Sequence, residues 1–210
     1  MEVQYDAAKA KHWWGKPVGR VHEQLPFWQK ELGCDPYLTR VLQEGYEAPK
    51  KTDVEWPAHY QEENNRSAME NMAFVQAETM RLWEEGMVVE TIKPPTFINP
   101  LTVVVRDDGK KRLVLDLSRC VNKLVQKTRF KMDDLKIALE LTEPGDFQVI
   151  ADMSSCYHHV RIKPSDYKYY GFCVPYLDKT RYYVYVVLHF GLGPATVSYT
   201  HLTLPTNREV

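Results

Sequence analysis

At 210 residues the chain is long enough to bury a sizeable core, either as one large domain or as a domain with an extension. Its 44% hydrophobic and 26% charged residues describe an ordinary soluble globular protein. A formal net charge of -1 carries no global nucleic-acid signature, so the distribution of charge matters more than its sum.

Charge is segregated along the chain. From Arg106 to Lys131 nine Lys or Arg stand against three Asp, whereas from Glu62 to Glu90 seven Glu stand against two Arg. That pattern fits one face meeting a polyanion, and it also fits a solvated basic hairpin. Cys34, Cys120, Cys156 and Cys173 lie far apart with no CxxC, which argues against structural zinc and against a disulfide-dense secreted domain. The N-terminal MEVQYDAAKAKHWWGK has no apolar signal-peptide core, and no apolar run reaches membrane length. The expectation is a soluble intracellular protein with reduced thiols and no membrane partner.

Residues 1–60 are rich in Trp, Pro and charge. Pro26-Phe27-Trp28 and Leu38 to Leu42 suggest short helical pieces that pack onto something else, and Pro49, Lys50, Lys51 and Pro57 read as a connector. Ser67 to Glu70 has the spacing of a capping box. Met72, Val75, Thr79 and Leu82 then form one helical stripe that Gly86 is placed to end. A hairpin comes next, with Leu101–Arg106 and Arg112–Leu117 joined through Asp107 to Lys110. Arg106 and Arg112 flank that turn, where guanidinium groups are either simply solvated or available for bidentate phosphate contacts. Met132 to Leu141 predicts a short helix with Asp133 or Asp134 at its start. A second, aromatic-rich hairpin is expected from Lys168–Val174 and Arg181–Leu188, its rings serving as core rather than as a stacking platform for bases.

Between them lies Val149-Ile-Ala-Asp152, a short apolar run ending in one carboxylate. Asp152 reads either as the cap of a following turn or as a ligand to a hard divalent cation that bridges to substrate phosphates. His158 and His159, taken as adjacent strand residues, would point to opposite faces, which disfavours a joint metal site.

In this order the elements resemble the fingers and palm of a reverse transcriptase, over roughly Ala73 to Ala195. Asn99 to Asn122 (NPLTVVVRDDGKKRLVLDLSRCVN) is similar to the fingers hairpin with its trailing Asp and Asn. Phe130 to Leu135 (FKMDDL) resembles the lead into the palm, and Asp152 to Ile162 (DMSSCYHHVRI) the motif of the first catalytic aspartate. Tyr182 to Ala195 (YYVYVVLHFGLGPA) resembles the next motif, with His189 where Pro is usual. Leu117 to Asn122, Gly171 to Pro175 and the block from His22 to Pro49 with Gln43 to Tyr46 look most like retrotransposon enzymes of the DIRS/Ngaro type.

The resemblance implies an α+β fold: a partial polymerase palm, with helices on one face of an antiparallel sheet, plus a fingers β-hairpin and a helical N-terminal extension. It divides the chain into a connector (1–60), a partial reverse transcriptase domain (61–196) and a tail (197–210). It assigns Asp152 and the carbonyl of Met153 to Mg²⁺, Arg112 and Arg106 to the triphosphate, Tyr157 to the sugar, and Phe190 and Gly191 to the sugar and template base. The implied partners are an RNA template, a DNA primer and deoxynucleoside triphosphates. The chemistry is two-metal nucleotidyl transfer.

Two departures bear on activity. No Y/F-x-D-D pair comes after Ala195 in these residues, so the expectation is a fragment that is inactive alone. The polar, Thr-rich Val197 to Val210 stands where a palm helix is usual and resembles foreign read-through. A non-catalytic nucleic-acid-binding module and a relic without function are the competing readings.

Overall fold

The computed structural model describes residues 21–127, 135–140, 142–143, 145–147 and 156–195. Its N-terminal part begins with a 3₁₀ turn, Val21–Gln24, and a short helix, α1 (Leu25–Lys30). In the next helix, α2 (Pro36–Glu44), Asp35 is the cap. Its carboxylate accepts the Leu38 N–H at 2.7 Å, and Pro36 sits in the first turn, where no N–H is needed. Leu38, Val41 and Leu42 form the buried stripe of α2. Gly45, at φ +91°, ends the helix where a Cβ would press within 2.8 Å of the Ile162 carbonyl oxygen. From there the backbone is tied to distant segments. The Tyr46 N–H donates to Arg161 O at 2.7 Å, the Lys163 N–H donates to Tyr46 O at 2.9 Å, and the Lys51 N–H donates to Leu124 O at 3.0 Å. Of the helical pieces in the first sixty residues, α2 therefore joins the core through Val41, whereas α1 has no buried residue.

The helix expected after Ser67 is two helices, α3 (Arg66–Glu70) and α4 (Met72–Glu84), broken at Asn71. The capping box does not form. Ser67 lies inside α3, and its hydroxyl accepts the Val103 N–H at 3.1 Å, so a cross-chain backbone donor takes the oxygen that local spacing reserved for the cap. The stripe itself holds: Val75, Thr79 and Leu82 are buried. Gly86, at φ +77°, closes α4. Its N–H bonds Trp83 O at 3.1 Å and the Met87 N–H bonds Leu82 O at 2.8 Å, the paired arrangement of a glycine-terminated helix.

A five-stranded sheet runs in the order β1 (Tyr60–Gln61), β3 (Phe97–Ile98), β6 (Gly171–Pro175), β7 (Thr180–Tyr185), β2 (Val88–Thr91). It is mixed, not antiparallel: β1 pairs β3 and β3 pairs β6 in parallel, while β6–β7 and β2–β7 are antiparallel. Hairpin turns force antiparallel pairing locally, whereas β1, β3 and β6 are joined by long connections that allow parallel neighbours. Two-residue strands also carry no legible periodicity. Lys168 to Tyr170, expected to begin a strand, belong instead to and just after a 3₁₀ turn, Pro164–Tyr169, and β6 starts at Gly171. At Gly171 a Cβ would overlap Phe97 O and the Pro95 ring, so only glycine fits between β6 and β3.

The rings of β6–β7 are core. Phe172 stacks on its cross-strand partner Tyr183 at 5.6 Å and meets Tyr185 at 5.5 Å, all three buried. Burial of each such ring is worth about 1.5–3 kcal/mol. After β7 the chain continues extended, with Val187 bridging Arg161 and the Leu188 N–H donating to Val160 O at 2.8 Å.

The second sheet is the expected hairpin, made by β4 (Leu101–Val105) and β5 (Lys111–Leu115), with Val104 opposite Arg112. One face, Leu101, Val103, Leu113 and Leu115, is buried. A one-turn helix, α5 (Val121–Leu124), comes after it, and later α6 (Leu135–Glu140). The start of the helix predicted from Met132, including Asp133 and Asp134, lies outside the described residues. Cys34, Cys120, Cys156 and Cys173 are free thiols. No described helix is long and apolar enough to cross a membrane.

Candidate functional site

Three segments far apart in sequence meet at Phe190. The hairpin contributes Arg112, whose guanidinium carbon lies 4.7 Å above the Phe190 ring. A 3₁₀ turn, Cys156–His159, contributes Tyr157, whose ring meets Phe190 edge-on at 5.2 Å, and His158 at 6.2 Å. The turn replaces the strand assumed for the histidine pair, so the strict alternation of faces does not apply to it. The loop after β7 supplies Phe190 itself.

The loop can approach the hairpin closely because of Gly191. Its φ is +108°, and a Cβ there would overlap Leu115 O while touching the Val114 side chain at 3.5 Å. Phe190 is thereby carried across the hairpin face that bears Val114 and Arg112. Asn122 at the start of α5 ties the loop down. Its Nδ2 donates to Gly191 O at 2.7 Å, and its Oδ1 accepts the Gly193 N–H at 2.9 Å.

Beside Phe190 lies a cavity of about 310 Å³ lined by residues that include Arg81, Lys111, Arg112, His158 and Tyr185. Arg81 is spoken for. It forks onto Glu78 at 2.7 and 3.0 Å and reaches Glu85 at 2.6 Å. Among the described residues neither Lys111 nor Arg112 has a carboxylate partner, so their charge is available to an anion. Arg106 stands apart. It is exposed at the hairpin tip, its backbone closing the turn with Lys110, and it does not line the cavity.

Histidine fills two buried positions here. Burial, reinforced by the nearby Arg81 charge, pushes His158 down to about 4. Burial likewise pushes His189 down to about 4, while the Phe190 carbonyl acts in the opposite direction by accepting its Nδ1–H at 3.0 Å. Both rings are neutral near pH 7, and His189 packs against Tyr185 at 4.3 Å and Tyr170 at 5.4 Å. A neutral ring with Nδ1–H bonded to the Phe190 carbonyl, and packed between Tyr185 and Tyr170, explains why His fits the position before Phe190.

The segregated charges partly cancel one another. Arg119, from the basic stretch, donates to Glu62 at 2.6 Å and to Asn65 Oδ1 at 2.8 Å. That contact holds the Glu62 carboxyl below its ordinary value. Burial pushes Asp116 upward, but bonds from Ser118 and Asn65 outweigh it and leave the carboxyl lowered. Arg119 is thereby withdrawn from the basic surface, which keeps the exposed hairpin residues Arg106, Lys111 and Arg112. A larger concavity, about 570 Å³, lies against α2 and shares no lining residue with the cavity at Phe190. Its charges are largely paired, with Lys163 to Glu47 at 2.7 Å and Lys50 to the buried Asp166 at 3.1 Å, and it reads as a salt-bridged seam.

Of the predicted site residues, Arg112, Tyr157, Phe190 and Gly191 come together and Arg106 does not join them. Asp152 and Met153 lie outside the described residues. Among the described residues no cluster of three or more His, Cys, Asp or Glu could hold a metal. Sequence reasoning missed Arg81, Lys111 and His158 as cavity walls. Lys111, beside Arg112 on the hairpin, was the only one with a local signal. Comparison of the chain with protein-family models and with curated proteins gave no match.

Proposed function

We propose that this chain is the fingers and first part of the palm of a retrotransposon reverse transcriptase, most like the DIRS/Ngaro type, with Phe190 at the centre of a deoxynucleoside triphosphate site. The observation that carries the reading is the convergence of Arg112, Tyr157 and Phe190 over the Gly191 backbone. The family resemblance assigns these residues to one nucleotide, and they arrive from three separate elements within ring contact.

Each group has a chemical task. Arg112 presents a planar guanidinium to phosphate oxygens, with Lys111 beside it as a second positive charge. The Phe190 face and the Gly191 backbone form the floor on which sugar and base lie. Tyr157 closes the sugar side, where its ring leaves no room for a 2′-OH. Asp152 and the Met153 carbonyl carry the oxygen chemistry suited to Mg²⁺, which when bound would neutralise phosphate charge and activate a primer 3′-OH for in-line attack. Within these residues Asp152 stands without the Y/F-x-D-D carboxylates, so the 210-residue chain is expected to bind nucleotide without polymerising it.

Binding of dTTP, with 5-methyl-UTP (the same base on ribose) as the comparison, tests this by equilibrium dialysis in the presence of Mg²⁺. The chain should bind dTTP more tightly than 5-methyl-UTP, and Tyr157→Ala should narrow the difference. Equal binding of the two by the unaltered chain would sink the sugar assignment.

Arg106 and Lys111, exposed and without a carboxylate partner among the described residues, favour a second reading, in which the hairpin grips an RNA–DNA duplex through phosphate contacts. Duplex binding whose salt dependence flattens in Arg106→Ala is its signature, and salt-independent binding would remove it.

A further inference from the structure

Asn122 has a task that its place after the hairpin does not by itself assign. The segment Phe190 to Gly193 contains two glycines, so its backbone has wide conformational freedom to lose before Phe190 can hold one orientation. Among the described residues, the hydrogen bonds reaching this segment from beyond its own loop are the two made by Asn122, to Gly191 O at 2.7 Å and from the Gly193 N–H at 2.9 Å. A carboxamide is suited to this because it offers a donor and an acceptor side by side, matching a carbonyl and an N–H two residues apart. The clamp is itself rigidly seated. The Asn122 N–H bonds Leu117 O at 2.9 Å, and its neighbours Val121 and Leu124 are buried in the core.

Resting on the nucleotide reading, we infer that Asn122 is a positioning residue. It fixes the Phe190–Gly193 loop against the hairpin so that the Phe190 ring is presented to Arg112 and Tyr157. It touches no nucleotide itself and acts through the loop. Without it, Gly191 O and the Gly193 N–H lose their partner, Gly191 is free to lift from Leu115, and Phe190 loses its fixed angle to the guanidinium.

The test uses the full chain, with hydrogen exchange at the Gly193 amide and dialysis of radiolabelled dTTP with Mg²⁺. Asn122→Ala and the near-isosteric, uncharged Asn122→Leu should both speed Gly193 exchange by about tenfold and weaken dTTP binding by about fivefold. Their melting temperatures should move by no more than about 4 °C. Asn122→Asp retains the acceptor for the Gly193 N–H but opposes an oxygen to Gly191 O, so it should protect Gly193 less than Asn122 does and more than Asn122→Leu. If both variants bind dTTP as the parent does, or if Gly193 exchange does not respond, the positioning role is wrong while the nucleotide reading stands. If the unaltered chain binds no dTTP at any Mg²⁺ concentration, the nucleotide reading fails and this role fails with it, whatever Gly193 does. Should Asn122→Ala not fold, Asn122→Leu decides by the same two readouts.

Discussion

The two hairpins of this chain are built from the same local grammar and serve opposite ends. In β6–β7 both faces are covered: Phe172, Val174, Tyr183 and Val184 are buried, and β2 and β3 flank the pair. In β4–β5 the face of Leu101, Val103, Leu113 and Leu115 is buried except at its tip end, where Val105 is 55% exposed beside Lys111, and the opposite face leaves Val104 46% exposed beside Arg112. The first is a beam of the core. The second is a ribbon anchored by its base, its outer face crossed by the Gly191 loop at Val114 and open at Val104 and Arg112. On the proposed nucleotide reading, stability and recognition are thus separated between them, and the loop that comes after β7 meets the surface of β4–β5 at Phe190.

That division can be broken by experiment. Phe172→Ala empties a packed ring from the core hairpin and should cost about 3–5 kcal/mol in urea denaturation; a loss below about 1 kcal/mol would mean that β6–β7 is not the beam described. Acid should act on the same region. His158 and His189 are held to about 4, below the unfolded value of about 6.5, so the unfolded chain takes up protons first. Their contribution is present above pH 6.5 and is lost as pH falls toward 4, by about 2 kcal/mol per histidine between pH 7 and pH 5. A urea midpoint that stays flat over that interval, or that falls as steeply in His189→Leu, would contradict it.

On the open hairpin the expected effects move from stability to binding. Arg112→Ala should weaken dTTP binding by about tenfold, measured by dialysis, through loss of a charge-assisted phosphate contact. Its cost in stability should stay within about 1 kcal/mol, the scale of one exposed guanidinium–ring contact. Val104→Thr, on the same face and opposite Arg112, is the smallest change. It should stay within about 0.5 kcal/mol in denaturation and leave dTTP affinity unaltered. A large stability loss from either would show that the outer face is packed against something.

Much of the scaffold was legible in local pattern. The stripe Val75, Thr79, Leu82, the stop at Gly86 and the presence of the β4–β5 hairpin come from helix and strand periods and from turn residues, which act over a few positions. The capping box at Ser67 was not legible, because the Val103 N–H that claims its hydroxyl lies in another element. The mixed sheet was hidden for a related reason: β1 and β3 are two residues each, and their parallel partners are chosen by packing rather than by a turn.

The sequence alone determined which residue types were available for recognition: two arginines flanking a hairpin turn, a tyrosine after Asp152, and Phe190 followed by glycine. Tertiary structure decided which of them work together. Arg112 reaches the ring and Arg106 does not. The reason is geometric. Arg112 sits one strand position inside the hairpin, on the face that the Gly191 loop crosses, whereas Arg106 lies in the turn beyond the reach of that loop. Asn122 likewise gained its role only when the fold brought Gly191 O and the Gly193 N–H to either end of one carboxamide, a match that no local spacing encodes.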